Sequence, residues 1–240
     1  MNIRHLCMLL LLSCSVSVGG ADEPAPPLAD HPRVADALAA WSVWVEARAA
    51  VDGVPGMSLA VVHDQETIHL DAFGMADPDR GIAATPDTLY SICSISKLFT
   101  AIGVMQQRDA GALDLDEPLA TYLPWFADLE DAHGDDEAVT LRRILTHSAG
   151  LPRESDSPYW SGPDFDFPTR DELRARLAEQ RTLYPSGRYF QYSNLGLSLA
   201  GEAVASVSGT SWEDYTKTRV LDPLGMSDTY TSVAEALATG

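Results

Sequence analysis

Two short stretches carry residue types that could do acyl chemistry. The first is Ser94-Ile95-Ser96-Lys97. A serine hydroxyl is a weak nucleophile until a neighbouring base takes its proton. Positions i and i+3 share a face of a helix, so this spacing lets the Ser94 hydroxyl meet the Lys97 amine. Lysine can act as a base when burial disfavours its charged form, whereas arginine keeps its proton in proteins. The chain holds 14 arginines but only two lysines, Lys97 and Lys217, so a lysine at this spacing stands against the composition. The second stretch is Tyr192-Ser193-Asn194. In an extended or turn segment residues i and i+2 project to one side. A Tyr192 phenol could then exchange a proton with Lys97 while the Asn194 amide orients lysine and substrate. The plainer reading is a loop tyrosine followed by an asparagine that caps the helix starting at Leu195.

Other reactive residues fit worse. Gly196-Leu197-Ser198-Leu199-Ala200 approaches the Gly-x-Ser-x-Gly elbow of lipases, but it lies in an apolar helical stretch with no strand before it. The six histidines show no metal spacing, and no metal or other cofactor is expected. Carboxylates crowd residues 128–137 around His133 and Gly134, without the side-chain spacing of a calcium loop, and read as a solvated acidic loop. Cys7 and Cys14 lie in the N-terminal apolar stretch; Cys93 is left alone and reads as a small buried residue.

The elements that must position these groups follow from hydrophobic periodicity. Residues 34–51 repeat apolar side chains at helical spacing through Leu38, Trp41, Val45 and Ala49. The run 57–62 suits a buried strand, and 67–73 alternates as its hairpin partner. Helices are then expected from Ser94 to about Arg108, over 140–147, over 169–181, over 195–207 and over 211–220. The result is an α+β chain: a helix and two strands, then a mainly helical region. Two strands alone do not make an independently stable sheet.

Taken together these segments resemble class C β-lactamases, the related D-alanyl-D-alanine carboxypeptidases and their esterase relatives. The resemblance runs through Thr88-Leu89-Tyr90-Ser91-Ile92-Cys93-Ser94-Ile95-Ser96-Lys97-Leu98-Phe99-Thr100 and Gly111-Ala112-Leu113-Asp114-Leu115-Asp116-Glu117-Pro118. It continues in Leu141-Arg142-Arg143-Ile144-Leu145-Thr146-His147-Ser148-Ala149-Gly150-Leu151-Pro152, in Tyr192-Ser193-Asn194 and in Pro223-Leu224-Gly225-Met226. It implies a β-lactamase/transpeptidase-like fold and an acyl-enzyme on Ser94. Lys97 and Tyr192 would pass the proton, Asn194 would contact substrate and Lys97, and the Ser94 backbone N–H would supply one oxyanion donor. His147 tempts as a triad histidine, but in the family its segment is structural, and a helix-end position suits capping and packing. The substrates implied are a β-lactam, a D-Ala-D-Ala-type peptide or a small ester. The alternative is a catalytically weak or inactive penicillin-binding-like scaffold. The aromatic stretch 157–167, with Tyr159, Trp160, Phe165 and Phe167, could line an acyl subsite or simply pack.

A third family motif, Lys-Thr-Gly or His-x-Gly on a later strand, has no match. Lys217-Thr218-Arg219 lacks the glycine and comes early. The chain is therefore expected to be an N-terminal portion, without the C-terminal strands and helix and without the second oxyanion donor. Loss of one such donor costs about 10²–10³ in rate, so a poor catalyst is expected of these residues alone. Residues 1–21 read as a signal peptide with a basic start at Arg4 and His5, 22–33 as a linker, and 34–240 as the hydrolase domain. Export to the periplasm or medium follows. Leu11-Leu12-Ser13-Cys14 also resembles a lipobox, and attachment to a membrane is expected only through a lipid on Cys14. The formal charge of −19 excludes nucleic acid and anionic membrane surfaces as partners, leaving a small-molecule or peptide substrate.

Overall fold

The computed structural model describes residues 27–134, 137–155, 168–232 and 236. The expected signal peptide, residues 22–26 of the linker, Asp135 and Asp136 of the acidic run, and the aromatics between 157 and 167 lie outside the described residues. The chain forms two compact units, one up to Thr88 and one from Leu89.

In the first unit, helix α1 (Pro32–Asp52) starts inside the stretch expected as linker, because a proline at the first helical position fixes a helical φ and loses no needed donor. It ends at Gly53, whose φ of 70° closes the last turn onto the Ala49 and Ala50 carbonyls. Strands β1 (Gly56–His63) and β2 (Glu66–Asp77) pair antiparallel from Gly56↔Gly74 to His63↔Glu66. Their two-residue loop, Asp64-Gln65, has φ of 50° and 69°, the mirror-image turn whose twist matches paired strands. A two-residue strand, β3 (Ile82–Ala83), adds to β2. It was not expected, being too short for alternation to show. The run 57–62, expected to be buried, is only partly covered, and Val62 is 60% exposed. Helix α1 buries just Ser42 and Val45, so this unit has little core of its own.

The second unit holds the core. Helices α2 (Ser96–Asp109), α3 (Leu141–Leu145), α4 (Arg170–Leu177), α5 (Asn194–Ser208) and α6 (Trp212–Thr216) surround a cluster rich in leucine. From α5 come Leu195, Leu199, Ala200, Ala203 and Val204; they meet Val104 of α2, Leu119, Leu123, Leu141, Ile144 and Leu151. Burying each leucine side chain contributes about 1.5–3 kcal/mol, so α5 anchors the unit. Gly103 lets α2 approach closely: a Cβ there would lie 3.4 Å from the Tyr215 ring and 3.6 Å from Val204. The helical periodicity over 169–181 ends early at Leu177, yet the start is well marked, since Thr169 and Glu172 cap each other's backbone N–H groups. The stretch 211–220 is a five-residue helix followed by a wider turn over Lys217–Leu221.

Candidate active site

The Ser94–Lys97 segment is built by two helical geometries in series. Cys93–Ile95 form a 3-10 turn that runs directly into α2, so Ser94 precedes the α-helix that was expected to begin with it. The turn places Ser94 and Lys97 on one face, with Lys97 Nζ 3.4 Å from Ser94 Oγ. Its position at the N-terminal end of the helical segment also sets Ser94 where the helix dipole favours negative charge. Cys93, expected to be buried, is exposed and has φ of 47°. The backbone bends there to present the next residue, and the thiol lies beside the Ser91 hydroxyl at 3.6 Å instead of in the core.

The tyrosine arrives from 98 residues away. Tyr192 Oη donates to Ser94 Oγ at 2.7 Å. Lys97 Nζ lies 4.9 Å from the Tyr192 ring centroid, and the Arg153 guanidinium carbon lies 5.0 Å from it. Burial alone pushes the phenol's proton affinity up. Hydrogen bonds with Lys97 and Ser94 and the charges of Lys97 and Arg153 outweigh it and hold the Tyr192 pKa below the ordinary tyrosine value. A phenol made more acidic in this way gives up its proton more readily than an ordinary tyrosine, and its oxygen already touches the serine.

The segment 141–153 fixes the tyrosine by backbone bonds on both sides. Gln191 N–H donates to the His147 carbonyl at 2.7 Å, Ser193 N–H to His147 Nδ1 at 3.2 Å, and Asn194 N–H to the Arg153 carbonyl at 2.8 Å. Ser193, 4% exposed, caps α5: its Oγ accepts from Gly196 N–H at 2.8 Å and donates to the Pro152 carbonyl at 2.6 Å. Asn194 is therefore not the cap considered from sequence; it is the first residue of the helix. Its Nδ2 donates to Glu154 Oε1 at 2.6 Å, so the amide expected to orient Lys97 is turned to a carboxylate. Gly150 is required where it stands: with φ of 75°, a Cβ would fall 2.1 Å from the Tyr184 carbonyl oxygen.

His147 serves no serine directly. Its ring stacks on Tyr192 with centroids 4.4 Å apart, and Nδ1 accepts a backbone N–H. Ser198 of the lipase-like stretch sits in α5, its hydroxyl bonded to the Asn194 carbonyl four residues back. In the first unit Ser42 Oγ lies 2.8 Å from His69 Nε2, with Asp71 3.6 Å away. Those residue types suggest a relay, but both partners meet the same ring nitrogen, which leaves no path across the imidazole. Among the described residues no three His, Cys, Asp or Glu side chains gather as a metal site, and no helix is long and apolar enough to cross a membrane.

A serine hydroxyl, an amine and a phenol converging from these positions can be compared with known proteins. The beta-lactamase family model matches residues 18–239. The chain belongs to the beta-lactamase family. It is 30% identical to "Beta-lactamase-like protein 2" of Dictyostelium discoideum over 79% of this chain and 35% of that protein. It is 29% identical to the D-alanyl-D-alanine-carboxypeptidase/endopeptidase AmpH of Escherichia coli (strain K12), over 74% of this chain and 45% of that one. Among solved structures, the octameric penicillin-binding protein homologue from Pyrococcus abyssi superposes with a TM-score of 0.71 at 32% identity, covering 82% of this chain and 45% of that chain. The fold is that of the β-lactamase/transpeptidase proteins, and the chain spans less than half the length of these three relatives.

Sequence reasoning brought Ser94, Lys97 and Tyr192 to one point and missed Arg153 and Glu154. Arg153 faces the Tyr192 ring and Glu154 holds Asn194, across 39 and 40 positions of chain. No periodicity links residues that far apart. The only signal was their place directly after the Gly150-Leu151-Pro152 end of the 141–152 segment.

Proposed function

We propose that this chain carries the nucleophilic residues of an exported serine hydrolase that works through an acyl-enzyme on amide or ester bonds. The observation that carries this reading is the convergence on Ser94 Oγ of Tyr192 Oη at 2.7 Å and Lys97 Nζ at 3.4 Å. In the reactive form the Tyr192–Lys97 pair has given up one proton to solvent, and it takes the Ser94 proton as Oγ bonds to the carbonyl carbon of the substrate. The C–N or C–O bond then breaks and the leaving group takes that proton. Water repeats the sequence in reverse to free Ser94. The Ser94 backbone N–H, at the start of the helical segment, is the oxyanion donor within this chain. The substrate class is a β-lactam, a D-Ala-D-Ala-type peptide or a small ester; the first two are supported by kinship with proteins named for penicillin binding and for D-alanyl-D-alanine carboxypeptidase activity. Export is supported by the signal-like residues 1–21.

Labelling tests the reading. A fluorophosphonate or fluorescent penicillin should add one adduct mass to wild type and none to Ser94→Ala. Lys97→Arg keeps the charge and should slow labelling about 10²–10⁴-fold, since an arginine does not take the proton. Equal labelling of wild type and Ser94→Ala would defeat the proposal. A non-catalytic scaffold is the second reading, favoured by the Asn194 amide being engaged with Glu154 and not with Lys97. It predicts reversible binding of penicillin with no adduct.

A further inference from the structure

The turn that ends α3 is closed by two hydrogen bonds, from His147 N–H to the Ile144 carbonyl at 3.0 Å and from Ser148 N–H to the Arg143 carbonyl at 2.7 Å. This arrangement needs a left-handed residue just past the helix, and glycine adopts that conformation without penalty. The chain puts an imidazole there, with φ of 54°. Among the described residues only four non-glycines have positive φ, and Asp64 and Gln65 of the hairpin loop account for two. A side chain kept in a strained conformation by the surrounding structure points to a role for that side chain.

The left-handed turn aims three parts of His147 at one target. Its carbonyl accepts from Gln191 N–H at 2.7 Å, its Nδ1 accepts from Ser193 N–H at 3.2 Å, and its ring lies against Tyr192 between them, 4.4 Å centroid to centroid and 30° from parallel. The residue before the tyrosine, the residue after it and the tyrosine ring are thus all held by one residue. Phe190 packs edge-on to the same imidazole at 5.8 Å, which limits sideways movement of the ring. Burial, and then the nearby Lys97 charge, push the His147 pKa below its ordinary value. A lowered pKa favours the neutral imidazole, and Nδ1 is the nitrogen that accepts the Ser193 N–H.

We infer that His147 is a positioning residue: it sets the Tyr192 phenol against Ser94 and beside Lys97 and Arg153, and takes no proton from substrate itself. This role deepens the proposed function and rests on Tyr192 being the proton partner of Ser94. The stacking supplies the plane of the phenol, and the two flanking bonds supply its position along the chain. A misplacement of about 1 Å in such a contact costs up to about 10²-fold in rate.

Two variants of the full chain separate this role from simple packing. His147→Gly keeps the left-handed turn and removes the ring. His147→Asn also tolerates the left-handed region, and its amide oxygen can accept from Ser193 N–H. The Tyr192 phenol is titrated by phenolate ultraviolet absorbance, as the difference between each protein and the same protein carrying Tyr192→Phe. Wild type and His147→Asn should ionise below the ordinary tyrosine range, and His147→Gly should return to it, while the melting temperature of His147→Gly stays within about 4 °C of wild type. Fluorophosphonate acylation of Ser94 should fall about 10–100-fold in His147→Gly and recover in large part in His147→Asn. Coincident Tyr192 titrations in wild type and His147→Gly would overturn the inference, as would a failure of His147→Asn to recover either reading. If wild type itself is not acylated, the functional reading falls, and the titration still decides the role of His147.

Discussion

Ser193 sits between the tyrosine and the asparagine, and replacing it with alanine isolates what its hydroxyl holds. The side chain is 4% exposed and makes two bonds, accepting from Gly196 N–H at 2.8 Å and donating to the Pro152 carbonyl at 2.6 Å. Loss of the first removes an N-cap from α5, worth about 1 kcal/mol, with extremes of about 0.5 and 2. Loss of the second leaves a carbonyl without that donor and costs about 0.5–1.5 kcal/mol net. Alanine leaves the fully buried Leu195 and Leu199 in place, so no large cavity adds to the sum. The total is about 1.5–2.5 kcal/mol. At about 2–4 °C per kcal/mol for a chain of this size, the melting temperature should drop by about 3–10 °C. Ser198→Ala is the control: that hydroxyl is exposed and bonds only weakly to a carbonyl of its own helix, so the melting temperature should move by about 2 °C or less. Melting followed by circular dichroism, with fluorophosphonate labelling alongside, reads both effects. The labelling rate of Ser193→Ala should fall as well, because the cap ties the tyrosine's segment to the 147–153 loop. Equal melting temperatures for Ser193→Ala and Ser198→Ala would refute the account of how the segment is held.

Two further outcomes follow from electrostatics. Arg153 is one of two cations against the Tyr192 ring and helps hold the phenol below its ordinary pKa. Arg153→Gln should therefore move the pH midpoint of Ser94 labelling upward, and an unchanged or lower midpoint would show that Arg153 does not act on the phenol. Glu202 is pushed above the ordinary carboxylate range by burial, which the Arg170 charge only partly offsets and the Glu213 charge reinforces. A carboxyl with a raised folded-state pKa binds its proton more tightly folded than unfolded. It favours the fold below its unfolded value and loses that contribution as pH rises through the folded one. Glu202→Gln should accordingly melt higher than wild type at pH 7 and show no advantage near pH 4; a lower melting temperature at pH 7 would mean that the bond from Arg170 at 2.9 Å outweighs burial.

The elements legible in the sequence were those with a strong local signal. Helix α5 announced itself through its apolar run from Leu195, and the hairpin through an apolar run followed closely by an alternating one. Strand β3, two residues long, gave no pattern to read. Helix α1 began inside the expected linker because composition, rich in proline and acid, outweighed the helix-start value of Pro32. The burial of 57–62 was overestimated for a different reason: an apolar run signals what a strand can bury, and coverage depends on residues far away in sequence.

The site divides along the same line, between what spacing specifies and what contact specifies. A serine and a lysine three positions apart must share a helical face, so their meeting at 3.4 Å could be read before any coordinates. The 2.7 Å contact of Tyr192 could not be deduced from spacing, and depended on likeness to whole segments. Arg153, Glu154 and the positioning part of His147 gave still less, since each acts through a partner about 40 positions away. What marks their neighbourhood is violation of local preference. Cys93 directly before Ser94 and His147 beneath the tyrosine both take left-handed backbone conformations that glycine would adopt at lower cost. The hairpin loop has the same backbone signature for a purely geometric reason, because its two-residue turn demands it. At 147 the turn that ends α3 also calls for a left-handed residue, and the chain fills it with an imidazole where glycine would serve. At 93 and 147 the left-handed backbone falls on the residue directly before Ser94 and on the residue stacked against Tyr192.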